Sequence, residues 1–376
     1  MYIRSHSWGA ANLSWSVVIE ELLYAADKQG HDIVFVSTNG YKGMKYWNEE
    51  RGLKQNLLQR EILRSNKSFD LDMTYTVPQN FPDRFLSNSK CRVAIYNYES
   101  SIMPAHWSKY YSFVDYVLPS SKYVAEMFEN NGCHKDKIVV VPHGIDLEVF
   151  NPSVKPAKIK TDKKFKFLCI AEPHYRKQLD KLLQLYAKTF TSADDVCLVL
   201  KTKIFDDNSI KEMKEFEMDL RPILKELRSK YDAMLPEIKV VSGRLNNIAS
   251  LYTACDAFVL MTASEGWGMP YLEALACGVP VIAPRHGGQL EFLSDDNAIL
   301  TKCGIRKARP QEQYWVPHPR AVVGSPDEAD FSDQMINMYK NHAEIKARLL
   351  PAMLETASKL TWSNAMNQII KLAETK

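Results

Sequence analysis

The stretch Ser264-Glu265-Gly266-Trp267-Gly268-Met269-Pro270-Tyr271-Leu272-Glu273-Ala274-Leu275-Ala276-Cys277-Gly278 constrains this chain more than any other. The apolar run 257–261 before it reads as a buried strand. Gly266 and Gly268 let the backbone take conformations closed to other residues and approach a ligand closely. Pro270 suits the opening of a helix, because its missing N–H would have no helical partner there. Gly278 is placed to end that helix, and 280–283 begins another buried strand. Strand, Gly-rich loop, short helix and strand put free N–H groups and a positive helix end above a parallel sheet, where an anion can bind. Glu265 stands at the loop's entrance. Glu273, expected in the first helical turn, is expected to point toward the same crevice.

Two carboxylates beside an anion site suit a ligand that carries both phosphates and hydroxyls, since carboxylates accept from sugar hydroxyls while N–H groups hold phosphates. That describes a nucleotide sugar. The segment Glu265-Gly-Trp-Gly-Met-Pro-x-x-Glu273-Ala-x-Ala-Cys-Gly278-x-Pro280-Val-Ile resembles the signature of the retaining GT-B glycosyltransferases often called glycosyl transferases group 1. Its two glutamates have the spacing of that family's E-x7-E motif. The resemblance implies an α/β chain of GT-B fold: two Rossmann-like domains facing a central cleft, with a C-terminal helix crossing back to the N-terminal domain. It also implies transfer of a sugar from a nucleotide diphosphate sugar to an acceptor hydroxyl, with retention, and no cofactor or metal beyond the donor. Two other readings stay open: a non-catalytic nucleotide-sugar-binding protein, and a glycoside hydrolase using Glu265 and Glu273 as acid and base.

A length of 376 residues suits two domains. We expect an N-terminal acceptor-side domain over 1–152, a nucleotide-sugar-binding domain over 153–358, and a returning helix over 359–376. A formal charge of +3 argues for neither nucleic acid nor a membrane surface as partner. Seven cysteines without a CxxC pair fit reduced thiols and a cytoplasmic protein better than a disulfide framework. No apolar run reaches the length of a membrane span.

In the N-terminal half, a strand at 2–7, a helix through Val17, Val18, Leu22, Leu23 and Ala26 stopped by Gly30, and a strand at 32–37 make a βαβ unit. The loop between them carries Gly9, where the family usually has two or three glycines near the donor phosphates. Asp70-Leu71-Asp72 resembles the metal motif of another glycosyltransferase architecture, but it runs into an alternating strand at 73–77 that presents at most two carboxylates to one point. Glu99 follows a strand at 92–96. With Pro104 and Trp107 it resembles a Tyr-x-x-Glu-like element of one branch of the family, which implies a role orienting the acceptor or the transferred sugar; the alternative is a carboxylate salt-bridged at a strand end. Ser120 is read as a helix cap, 138–142 as the last strand of this half, and His143 as a hinge residue.

After a lysine-rich linker at 153–164 come a strand at 165–171 and a helix through Leu179, Leu182, Leu183 and Tyr186. Between them, Lys177 matches the family's diphosphate-binding lysine. The family's Gly-Arg pair is replaced by Ala171-Glu172, Gln178 stands for a usual glycine, and Arg176 is the candidate to supply the missing guanidinium. Lys201 ends a strand at 196–200 and is a candidate for base or phosphate contact. The resemblance implies that Glu265 and the amides of Gly266, Trp267, Gly268 and Met269 hold the sugar hydroxyls, that Pro270 belongs to the same donor-binding loop, and that Glu273 holds the ribose. The charged segment 208–231 reads as one exposed amphipathic helix. Residues 301–323 show no helical or strand pattern, and their Arg306, Lys307, Arg309 and Arg320, interleaved with Tyr314, Trp315 and Pro317, suit a basic groove for nucleic acid, a lid, an acceptor-binding loop or a plain surface loop, the small net charge favouring the last. A final helix begins at Thr361.

Overall fold

The computed structural model describes residues 1–7, 14–38, 68–206, 208–243, 245, 247–313 and 317–376; Gly9, Tyr314 and Trp315 lie outside these. The described chain divides into two compact units, one of Met1–Tyr98, Met103–Gly144 and Leu360–Lys376, the other of Glu99–Ile102 and Ile145–Lys359. The division therefore falls after Gly144 rather than after residue 152. It also hands the four residues Glu99–Ile102 to the second unit, a crossing that no linear reading anticipates.

In the first unit, β1 (Tyr2–Ser7), α1 (Ser14–Lys28) and β2 (Asp32–Ser37) form the expected βαβ start. Val18, Ile19, Leu22, Leu23 and Ala26 bury one side of α1, and Gly30 at φ +81° ends it. With β3 (Leu71–Tyr75), β4 (Cys91–Ile95) and β5 (Tyr116–Leu118) the strands make an all-parallel sheet in the order β2-β1-β3-β4-β5. Strands covered on both faces read as nearly continuous apolar runs, and the five residues of β3 are all buried. Asp72 is the charged residue of β3, and the register sets it beside Arg4 of β1. Its carboxylate takes Arg4 Nη1 at 2.8 Å, Leu86 N at 3.0 Å and Ser89 Oγ at 2.9 Å. Asp70 accepts from Tyr2 N and Lys90 Nζ. Both aspartates of the Asp-x-Asp motif thus serve the sheet.

Helix α2 (Lys122–Asn130) is capped by Ser121, whose Oγ accepts from Val124 N at 3.3 Å. Ser120, the expected cap, instead donates to Asn97 Oδ1 at 2.8 Å. The expected strand at 138–142 runs extended beside β5 through Val139 N to Val117 O and Val141 N to Pro119 O, but makes only the single bridge Val117–Ile138. Pro142 has no N–H with which to continue a ladder.

The second unit has six parallel strands: β6 (Phe165–Ile170), β7 (Val196–Lys201), β8 (Glu237–Val241), β9 (Ala257–Val259), β10 (Val281–Pro284) and β11 (Ile299–Thr301). Their order is β11-β10-β9-β6-β7-β8. Successive strands step from β6 toward one edge, then return past it to β9, so the order reverses between β6 and β9. Ligands in open parallel sheets bind at the carboxyl ends beside such a switch. Helices α3 (Leu179–Thr189), α4 (Arg221–Tyr231), α5 (Ala249–Thr253) and α6 (Met269–Ala276) connect the strands, and α7 (Glu328–Lys359), bent at Asn341, follows.

Two expectations fail in this unit. Only 221–231 of the charged segment is helical; 209–212 is a 3-10 turn, and the stretch after it pairs Tyr175 N with Phe216 O and Met218 N with Pro173 O. Residues 301–323 are not patternless: β12 (Cys303–Lys307) pairs antiparallel with β13 (Val322–Pro326) as a separate ribbon. A long excursion between two short strands hides their alternation from a sequence window. The last helix, α8 (Trp362–Glu374), capped by Thr361, belongs to the first unit. Gly144 lies so close to it that a Cβ would stand 2.2 Å from Trp362 N. All seven cysteines are free thiols. No helix among the described residues is long and apolar enough to cross a membrane.

Candidate functional site

Two loops at the carboxyl ends of β6 and β9 straddle the switch point. After β6 the chain makes a 3-10 turn at Tyr175–Lys177 and closes it with Gln178 at φ 53°, ψ 39°. The turn buries Arg176 and Lys177, which are only 7% and 8% exposed. The loop after β9 is tied to it through the backbone: Ala263 N donates to Arg176 O at 2.7 Å, and Thr262 Oγ1 donates to the same oxygen at 3.1 Å.

The side chains then converge. Lys177 Nζ pairs with Glu265 Oε1, and Arg176 Nη1 donates to Glu265 Oε2 at 3.3 Å and to Ser264 O at 2.8 Å. Arg176 Nη2 reaches Glu99 Oε1 at 3.3 Å, while Ser264 Oγ donates to the Glu99 carbonyl. The cluster therefore assembles Arg176, Lys177, Glu265 and Glu99, all four residues expected to act in chemistry. Thr262 and Ser264 were missed as supports, although polar residues directly after an apolar strand were a visible signal.

Burial of charge is costly unless it is paired, and here two cations face two carboxylates. Burial alone would raise Glu265, but Lys177 and Arg176 hold its carboxyl below the usual carboxylate range, so it stays ionised. Burial raises Glu99; Arg176 offsets part of this and the charge on Glu265 adds to it. His174, next to the cations, is pushed down to about 2 by burial, Arg176, Lys177 and Lys203, and so stays neutral. Arg176 is shared between two carboxylates, so an incoming dianion can compete for it and for Lys177.

The loop continues into α6. Gly268 takes φ +92°, and a Cβ there would stand 2.7 Å from a Tyr271 ring carbon. No side chain caps this helix N-terminus. Gly287, at φ +103°, turns the chain so that Gly288 N donates to Glu265 O at 2.7 Å, which fixes the backbone of the carboxylate. Gly266 is buried, Met269 and Pro270 are half-buried, and Trp267 packs its indole on Phe292 at 4.7 Å between centroids. The Trp267 side chain is thus packing, and only its backbone follows the loop.

Glu273 falls at the start of the second turn of α6 rather than in the first, because the helix begins at Met269, one residue before the Pro270 expected to open it. It accepts a hydrogen bond from Tyr252 Oη at 2.6 Å, and burial pushes it up to about 7. Lys201 closes β7 with its side chain half-buried. Arg306 and Arg309 do not line an open basic groove, since both hold the buried Glu312. His143 is buried, 2.8 Å from Asn97 Nδ2, and pushed down to about 3 by burial.

Residues 152–309 match the family model described as Glycosyl transferases group 1. D-inositol 3-phosphate glycosyltransferase of Pseudarthrobacter chlorophenolicus is 28% identical over 177 residues, which is 46% of this chain and 40% of that protein. The probable sucrose-phosphate synthase of Thermosipho melanesiensis is 25% identical over 165 residues, 43% of this chain and 35% of that one. The chain thus matches less than half the length of either relative. Among solved structures, HepE from Anabaena in complex with UDP aligns over 100% of both chains with a TM-score of 0.68 at 15% identity. Sucrose-phosphate synthase from Thermosynechococcus elongatus aligns over 100% of this chain and 99% of its own with a TM-score of 0.68 at 14% identity. At such identities the likeness is one of fold, the GT-B fold. The part of the chain that matches the glycosyl transferases group 1 model, residues 152–309, is the part that carries Arg176, Lys177 and Glu265 at the switch point.

Proposed function

We propose that this protein transfers a glycosyl group from a nucleoside diphosphate sugar to an acceptor hydroxyl, with retention of configuration. The observation that carries the reading is the buried cluster in which Glu265 holds Lys177 and Arg176 at the switch point of the second sheet. The donor diphosphate would displace Glu265 and Glu99 from the two cations. Glu265 is then left to accept hydrogen bonds from the sugar hydroxyls beside the Gly266–Met269 amides. Lys201 would serve the base or phosphates, and Glu273 the ribose.

As the glycosidic bond breaks, charge builds on the departing diphosphate and the sugar becomes oxocarbenium-like. Lys177, Arg176 and the α6 N-terminus stabilise that charge. The leaving phosphate oxygen takes the acceptor proton, so no side-chain nucleophile is required. The E-x7-E resemblance supports retention. The reading assigns no step to a metal ion, because two cations and a helix end already face the diphosphate; activity should survive EDTA.

HepE has been crystallised with UDP and with UDP-glucose, which makes uridine donors the first to try. Thermal unfolding in the presence of UDP, GDP, ADP, CDP and dTDP is the test, followed by hydrolysis and transfer from the matching nucleotide sugars. A nucleotide at a hundredfold over its Kd stabilises the fold by about 2.7 kcal/mol. Stabilisation by none of them would overturn the proposal.

A further inference from the structure

The ribbon β12–β13 touches each of the three segments that supply the cluster. Val322 N donates to Ser101 Oγ at 2.8 Å, two residues beyond Glu99. Gly324 N donates to Ala263 O at 2.8 Å, two residues before Glu265. The approach there is so close that a Cβ on Gly324 would stand 2.9 Å from that oxygen and 2.6 Å from the His286 ring. The third contact is made by side chains. With the Gln178 amide oriented to satisfy both its ends, its oxygen accepts from Arg306 Nη2 at 2.9 Å and its nitrogen donates to Met261 O at 3.2 Å.

Arg306 is itself held. Glu312 receives both guanidinium nitrogens, takes Arg309 N at 2.8 Å, and has a side chain that is 0% exposed. Burial would raise the Glu312 carboxyl, but hydrogen bonds from Arg306 and Arg309 overcome it and keep it ionised below the usual range. Arg309 also lies over the Tyr175 ring, 5.8 Å from its centroid, in the turn that carries the two cations.

We propose that Gln178, Arg306 and Glu312 are positioning residues that set the aim of Arg176 and Lys177 at a diphosphate. The proposal rests on the glycosyl-transfer reading above. Gln178 is fully buried and holds a left-handed backbone conformation at φ 53°. That conformation is unfavourable for a residue with a Cβ and costs glycine almost nothing. Backbone geometry alone would therefore be served better by glycine. What the glutamine adds is the link from Met261 at the end of the sheet to the Arg306–Glu312 pair, one residue from Lys177. Without it, the 3-10 turn keeps its backbone bonds but loses the anchor that orients its two cations.

The experiment uses the full chain with Gln178→Gly and Arg306→Lys, the latter keeping a charge opposite Glu312 while removing the planar fork. Melting temperature is recorded, and calorimetric titration follows with UDP, GDP, ADP, their nucleosides and inorganic pyrophosphate. For Gln178→Gly we expect a melting temperature equal to or above wild type. Affinity for pyrophosphate and for the nucleoside diphosphate that wild type binds should fall about three- to tenfold, the size of one net hydrogen bond. Nucleoside affinity should not change, and Arg306→Lys should show the same selective loss. Unchanged diphosphate affinity in Gln178→Gly, or an equal loss for nucleoside and diphosphate, would overturn the positioning role while leaving the glycosyl-transfer reading intact. A wild-type protein that binds no diphosphate and no pyrophosphate would instead sink that reading, and this inference with it.

Discussion

The two parallel sheets handle buried charge in opposite ways. In the first unit, Arg4 and Asp72 face each other across adjacent strands, and each finds further fixed partners: Arg84 O for the guanidinium, Leu86 N and Ser89 Oγ for the carboxylate. In the second, the charges stand on loops at the strand ends, and one guanidinium is divided between Glu99 and Glu265. A pair saturated by short, fixed hydrogen bonds holds strands in register and has little capacity for anything else. A cation shared by two carboxylates at a switch point remains available to a better anion. Location on a sheet face or at a sheet end, rather than the presence of buried charge, separates a structural ion pair from a candidate site.

Substitutions can break that contrast. The largest expected effect is on stability: Arg4→Met strands the Asp72 carboxylate and should cost about 3–5 kcal/mol in urea unfolding. Nucleotide affinity of the folded fraction should stay as in wild type. Weakened nucleotide binding at unchanged stability would erase the distinction between the units. Next comes Lys177→Met, which should lower kcat/KM for the donor by about 10²–10³. Arg176 remains to pair Glu265, so the loss of stability should be the smaller of the two.

A third test sharpens the reading of Glu273. Its carboxyl is raised from an ordinary 4.5 to about 7 in the folded state. Between those values the folded chain holds more protons than the unfolded one, so stability must fall as pH rises through that window. Glu273→Gln should flatten this slope in unfolding curves recorded from pH 4 to 8; an unaltered slope would mean the carboxyl is not buried as described. The smallest effect is expected at α2, where Ser121→Ala should cost about 1 kcal/mol. Ser120→Ala, by removing a bond to Asn97 rather than the cap, should leave α2 intact by amide hydrogen exchange.

Much of the architecture was legible because it is local. Val18, Leu22 and Ala26 repeat at helical spacing and α1 follows; Gly30 and Gly278 sit where helices end, and both take positive φ. Lys177 and Glu265 stand at the ends of apolar runs, which in parallel sheets are the ligand ends. Glu273 was placed in the first turn rather than at the start of the second because a proline near a helix start does not say which residue is first. The ribbon β12–β13 was missed for a different reason. Ile305 pairs with Gly324 across a long excursion, and one strand of such a pair carries no period that betrays the other.

The sequence by itself determined most of the parallel strands, their connecting helices, and the Gly-rich loop and helix that carry Glu265 and Glu273, because side-chain periodicity, turn residues and caps act over a few neighbours. Tertiary structure alone decided which charges meet. Arg4 finds Asp72, Glu99 finds Arg176 far along the chain, and Arg306 pairs with Glu312 and Gln178 instead of lining a basic groove. Those partners lie from 6 to 128 residues apart, with separations of 68, 77, 6 and 128 taken in that order. Burial makes an unpaired charge costly, but it does not say where along the chain the partner will be found.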